Sequence, residues 1–131
     1  MYGSNAGSIP ALGSKRLMMV LFLLVMFFAH FAGDFVLQTD WQAKNKWTNG
    51  YALLGHTVTY SVCFLGFGPW FALVTFVTHT AVDALTSQYT HHFATAKAAP
   101  DWHKFFVVVG FDQFLHAVQL VLTAHYLLKV L

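Results

Sequence analysis

The sequence contains no glutamate, and its whole acidic inventory is five aspartates in 131 residues. Charged residues of both signs make up 9% of the chain while 57% is hydrophobic, a balance far from that of soluble domains. That scarcity of charge excludes an ordinary water-facing surface and points to an integral membrane protein with the lipid bilayer as its surroundings. The seven lysines and arginines are scattered and the formal net charge is only +2, too little for a nucleic-acid footprint, so no nucleic-acid partner is expected. A single cysteine, Cys63, rules out an internal disulfide or a thiolate metal site within one chain; in its apolar stretch it reads as a small buried hydrophobe. Two of the three prolines, Pro69 and Pro100, fall between apolar runs.

Four such runs are present, over about residues 17–37, 51–67, 70–89 and 105–131. Each is near the roughly 20 residues that cross a bilayer, the second being the shortest. Short links at 48–50, 66–69 and 99–101 separate them and favour antiparallel neighbours. The expected fold is all-α: an integral membrane four-helix up-down bundle over residues 15–131. A flexible tail rich in Gly, Ser, Ala and Asn is expected over residues 1–14. Lys15 and Arg16 flank the first run as a membrane-edge pair; residues 17–29 resemble a signal-peptide core, but no small-residue cleavage site follows, so the run is read as a mature helix. Trp41, Trp47 and Trp102 fall at one expected membrane edge and Trp70 at the other, as amphipathic anchors do. Lys44, Lys46, Lys97 and Lys104 share the edge of the three tryptophans, where pairing with lipid headgroups is the simplest role and attraction of an anionic substrate the sharper one. Those four cations face three at the other edge, a difference too small for the positive-inside rule to set the orientation.

Against this apolar background three histidines stand four residues from an aspartate: His30/Asp34, His79/Asp83 and Asp112/His116. Four residues is slightly more than one helical turn, so each pair projects from one face and can close on a shared centre. In an alternating bundle these pairs, together with His56, all fall toward the same membrane face, on the order of 7 to 16 Å below it at ~1.5 Å per residue. Ionisable groups at such depth are costly, and metal coordination offsets that cost. Neutral imidazole and carboxylate suit Zn, Mn or Fe, and His30, Asp34, His56, His79, Asp83, Asp112 and His116 are enough for two ions. Gln38, one turn beyond Asp34, and Gln113, beside Asp112, are expected to orient ligands or substrate. His56 is either a ligand or general base, or a structural histidine bonded to Tyr60 one turn later. Gly33, beside Asp34, would permit close helix approach or local unwinding. Asp40, Asp101, His91, His92 and His103 are expected in solvated loops.

The segment at 30–46, His-Phe-Ala-Gly-Asp-Phe-Val-Leu-Gln-Thr-Asp-Trp-Gln-Ala-Lys-Asn-Lys, resembles the bacterial and phage membrane family known as domain of unknown function 3307. Leu54-Gly-His56, the His79-Thr-Ala-Val-Asp83 pair and Phe111-Asp112-Gln113-Phe-Leu-His116 share in the resemblance, which covers most of the chain after the tail. It implies a compact multi-pass helical protein of the bacterial inner (cytoplasmic) membrane and no particular reaction. The His-x-x-x-Asp pairs are also similar in style to those of membrane-bound metal-dependent hydrolases, a looser analogy.

Three readings of function follow. The first is a metal-dependent hydrolase at the membrane interface, acting on a phosphoester or lipid-linked substrate, with His56 and Asp34 in catalytic roles. The second is a proton or ion pathway through the His/Asp-lined bundle. The third is a small subunit of a larger membrane complex, or a homo-oligomer, whose polar layer joins helices or holds a cofactor. The Glu-x-x-His motifs of soluble di-iron bundles are absent.

Overall fold

A computed structural model describes residues 11–97 and 99–129, and among these the chain is all-helical with no strand. Five α-helices follow in order: α1 (Ala11–Phe31), α2 (Asp40–Asn45), α3 (Gly50–Val62), α4 (Pro69–Ala94) and α5 (Trp102–Thr123). Helix α1 continues into a wider π-helical segment, Ala32–Val36, and α5 into another, Ala124–Leu128. Of the expected tail, residues 1–10 lie outside the described residues; residues 11–14 form the first turn of α1.

Four helices were expected and five are found, because the stretch after Asp34 is not a plain loop. Thr39 and Gln42 form a reciprocal cap: the Gln42 backbone N–H donates to Thr39 Oγ1 at 3.2 Å, and the Thr39 N–H to Gln42 Oε1 at 2.9 Å. This closes the first turn of α2 and holds the six-residue helix at the end of the bundle. Asn49 caps α3 by accepting from the Tyr51 and Ala52 N–H groups. Helix α3 stops at a 3₁₀ turn, Leu65–Phe67, and Gly68 takes φ 115° so that Pro69 can open α4. Asp101 caps α5; the Lys104 backbone N–H and ammonium hold its carboxyl below the usual carboxylate range. Of the five residues expected in loops, only Asp101 lies outside a helix: Asp40 opens α2, His91 and His92 belong to the last turns of α4, and His103 to the first of α5.

Among the described residues two segments are long and apolar enough to cross a membrane, Gly13–Val36 and Trp102–Leu128. The other two expected spans differ for separate reasons. Helix α3 has 13 residues, a length of about 20 Å, short of a ~30 Å hydrocarbon layer. Helix α4 has 26 residues, but Thr75, His79, Asp83, Thr86 and Ser87 line its buried face.

The interior is divided. Met26, Tyr60, Phe64, Phe71, Leu120 and Ala124 fill one half with apolar contacts, closed further by Phe22 and Phe67. The other half is polar: His30, Asp34, His56, His79, Asp83 and His116 are all buried, and buried polar residues outnumber buried apolar ones. Large apolar side chains instead cover the outside, with Phe28 70%, Trp70 72% and Phe106 66% exposed.

Gly33 lies where α1 widens, and the approach there is close. A Cβ on it would stand 2.9 Å from Tyr60 Cδ2 and 3.2 Å from Tyr60 Cα, a backbone atom that no rotamer change can move. Gly33→Ala is therefore expected to lower stability by about 1–3 kcal/mol through overpacking. Gly110→Ala, with nothing within 4 Å on exposed α5, should be neutral or stabilise by up to ~1 kcal/mol. Thermal unfolding of the two variants in detergent checks the contrast, which disappears if Gly33 is an ordinary helix glycine.

Candidate metal centre

The π-helical segment after α1 supplies Asp34, α3 supplies His56, and α4 supplies both His79 and Asp83 one turn apart. One donor atom from each of these four buried residues lies within 4.8 Å of every other. His56 Nε2 is 3.1 Å from Asp34 Oδ1, 3.1 Å from Asp83 Oδ2 and 3.1 Å from His79 Nε2. His79 Nε2 stands 3.7 Å from Asp34 Oδ1 and 3.6 Å from Asp83 Oδ2. Donors about 2.0–2.1 Å from a tetrahedral ion are separated from one another by about 3.3 Å. The tetrad therefore has the chemistry and the spacing to hold one divalent ion.

Helix α5 adds a second group, in which Asp112 and His116 share Asp34 with the tetrad. His116 Nε2 lies 3.4 Å from Asp112 Oδ1 and 3.3 Å from Asp83 Oδ1. The spacing of four thus brings His79 to Asp83 and Asp112 to His116, as expected. It does not bring His30 to the donors around Asp34. The helix widens at Ala32, between the two residues, and His30 instead places Nδ1 2.8 Å from the Tyr60 hydroxyl and Nε2 2.9 Å from Gln113 Oε1.

These last contacts have one consistent proton arrangement. The Gln113 carbonyl only accepts, so His30 donates from Nε2 and receives the Tyr60 O–H at Nδ1. The Gln113 amide nitrogen then donates to Asp34 Oδ2 at 2.7 Å and to Asp112 Oδ2 at 3.1 Å. The relay turns Asp34 so that its other oxygen meets His56. Gln113 is thus an orienting group, as is Tyr60, although Tyr60 bonds His30 rather than His56 and stacks on the His79 ring at 3.6 Å. Gln38 stands apart from the cluster's hydrogen bonds; it lines the cleft above it, with its buried amide nitrogen unpartnered.

A second proton count limits the ions. His79 and His116 approach through their Nδ1 atoms at 3.1 Å, a hydrogen bond that requires one N–H and one lone pair. Neutral histidines both coordinating through Nε2 would both carry hydrogen on Nδ1 and repel. With this bond intact, His79 can serve the tetrad by donating to His116, which then turns its own Nε2–H to Asp83 or Asp112. Coordination by His79 and His116 together, each through Nε2, would require it to break.

Two residues of the site were not expected. The sequence places Lys46 at a membrane edge, facing lipid headgroups or an anionic substrate, yet it reaches inward from the end of α2 to place Nζ 2.7 Å from Asp83 Oδ2. Thr86 donates to Asp112 Oδ1. The Thr-x-x-Gln cap at Thr39 was the signal that could have placed Lys46, since it fixes a helix that carries the lysine back over the bundle. Above the cluster lies a cleft of about 190 Å³ lined by Asp34, Gln38, Lys46, Ser87, Asp112 and Gln113, among others.

Over residues 20–131 the chain matches the family described as protein of unknown function (DUF3307). No curated protein and no solved structure matches it.

Because Gln113 orients two carboxylates, Gln113→Leu is expected to lower zinc affinity by about 10–100-fold while leaving the helical content intact. Competition with a chromophoric chelator reads the affinity; an unchanged value would mean that Asp34 needs no such support.

Proposed function

We propose that the chain, which belongs to the DUF3307 family, is a multi-pass membrane protein that holds one Zn, Mn or Fe ion and hydrolyses phosphoesters at the membrane interface. The observation that carries the reading is the tetrad Asp34, His56, His79 and Asp83, buried and convergent, which reaches the cleft through Asp34. Two carboxylates beneath an apolar exterior are costly unless their charge is compensated, and a divalent ion compensates both. One ion is favoured over two by the shared proton between His79 and His116.

The bilayer is supported by the inversion of the molecule, apolar outside and polar within. Helical construction suits a bacterial inner membrane, since spanning proteins of the outer membrane are closed barrels. Of the residues expected to be catalytic, His56 is assigned as a ligand, because its Nε2 lies at the centre of the tetrad. Asp34 is a ligand that also borders the cleft.

A bound ion lowers the pKa of water and polarises a phosphoryl oxygen. In the overall reaction water adds to phosphorus, the bond from phosphorus to the alcohol oxygen breaks, and the alcohol leaves with a proton. Asp112 lines the cleft outside the tetrad and is suited to accept the proton released by the water. His116 supports it from 3.4 Å.

The proton-pathway reading draws on the same hydrogen-bonded chain from Tyr60 to His116. The apolar half of the bundle speaks against it, because Met26, Phe64, Phe71, Leu120 and Ala124 fill the route to the opposite end. The enzyme is therefore the preferred reading.

Elemental analysis of the purified protein is expected to find about one ion per chain. His79→Ala and Asp83→Ala should each lose that ion and, with it, hydrolysis of a chromogenic phosphoester. The reading is sunk by protein without stoichiometric metal, or by turnover that survives chelation. Flux through proteoliposomes that persists after chelation would favour the pathway instead.

A further inference from the structure

We propose that the cleft above the tetrad is a built subsite for the phosphoryl anion of the substrate, with Lys46 supplying the charge and Ser87 and Gln38 the neutral donors. This rests on the hydrolase reading and names the part of the chain that selects for it.

Lys46 is the first element. Its side chain is 17% exposed, lines the cleft and spends one contact on Asp83 Oδ2 at 2.7 Å. An ammonium carries three N–H donors in a roughly tetrahedral array. With one directed down at Asp83, the others are available on the cleft side.

Ser87 is an independent observation. It lies one residue after Thr86 on α4, is 6% exposed, and its Oγ has no hydrogen-bond partner. A buried hydroxyl without a partner is uncommon and costs stability, a cost that a ligand oxygen in the cleft would relieve. Gln38 repeats the pattern from the segment after α1: its Nε2 is buried and unpartnered, and the residue lines the same cleft. Three donors from α4, the end of α2 and the segment after α1 thus border one space, and each lacks part of its complement of acceptors.

The charge around that space fits an anion once the tetrad is filled. Asp34, Asp83 and Asp112 contribute three negative charges, and Lys46 with a divalent ion contributes three positive ones. The cleft is then close to neutral, and Lys46 is the cation that lines it. Phe35, Phe105 and Val109 add an apolar portion to the lining, against which the alkyl or acyl chain of a phosphate ester could lie. A second chamber of about 360 Å³ adjoins through Lys46, Ser87 and Thr90, and carries Lys44 and the stacked Trp47 and His91 rings, 3.4 Å apart.

The test is binding by the full-length protein in detergent, with inorganic phosphate and dihexanoyl phosphatidic acid as probes, read by calorimetry. Wild type is expected to bind, Lys46→Met to weaken binding by about tenfold or more, and Ser87→Ala by about threefold to tenfold. Lys46→Arg, which restores the charge, should recover most of the loss from Lys46→Met, and the metal content of Lys46→Met should equal that of wild type, which a lysine acting only through Asp83 would not leave unchanged. Tighter binding of the phosphatidic acid, reduced by Phe105→Ala for that probe alone, supports the subsite and identifies a lipid phosphate; equal binding of the two supports it and identifies a free phosphoryl group. Equal affinities in wild type and Lys46→Met, or no binding of either probe, overturn the proposal. Metal content is measured on the same samples: an intact ion without phosphate binding sinks the subsite alone, whereas Lys46-dependent phosphate binding in metal-free protein sinks the hydrolase alone.

Discussion

Carboxylates buried among helices set the terms for the rest of the molecule. Asp34 and Asp83 are nearly inaccessible, and a carboxylate so placed must be met by donors or cations on every side. The bundle answers with histidines from α3, α4 and α5, the Gln113 amide and the Lys46 ammonium. Those partners come from four parts of the chain, with α5 supplying both Gln113 and His116, so satisfying two aspartates fixes how the π-helical end of α1, the end of α2, α3, α4 and α5 meet. The apolar half, packed around Tyr60, Phe64 and Phe71, then has only to fill space.

Much of this was legible in the sequence because helical spacing and polarity carry the information. His79 and Asp83, and Asp112 and His116, could be paired from their four-residue interval alone, since both intervals lie inside unbroken α-helix. The interval from His30 to Asp34 has the same length but contains the start of a π-helical segment, and local widening leaves no mark in a count of residues. Gly33 was the available hint. Its role becomes definite only when the approach of Tyr60 is known.

Helix α2 was illegible for a different reason. Six residues are too few for a hydrophobic period, and its lysines look like any cations at a membrane edge. Its existence depends on the reciprocal Thr39 and Gln42 cap, and the placement of Lys46 depends on a tertiary contact with Asp83, 37 residues away. Likewise Ser87 is one of many hydroxyls in α4. Only its burial without a partner distinguishes it from Thr78, Thr80 and Thr90, whose hydroxyls return to the backbone of their own helix.

The unequal halves of the interior bear directly on mechanism. A pathway needs polar contact with both ends of the bundle, but an interfacial enzyme needs one open end and gains from a closed one, because apolar packing behind the ligands keeps them rigid and dry. Here the candidate ligands stand against Tyr60, whose ring stacks on His79 and whose hydroxyl begins the relay through His30 and Gln113. Tyr60 is thus both the last residue of the apolar half and the first of the polar one. Through it, the packing at the closed end reaches the orientation of Asp34 at the open end, and a small bundle obtains a preorganised site from a chain with only five acidic residues.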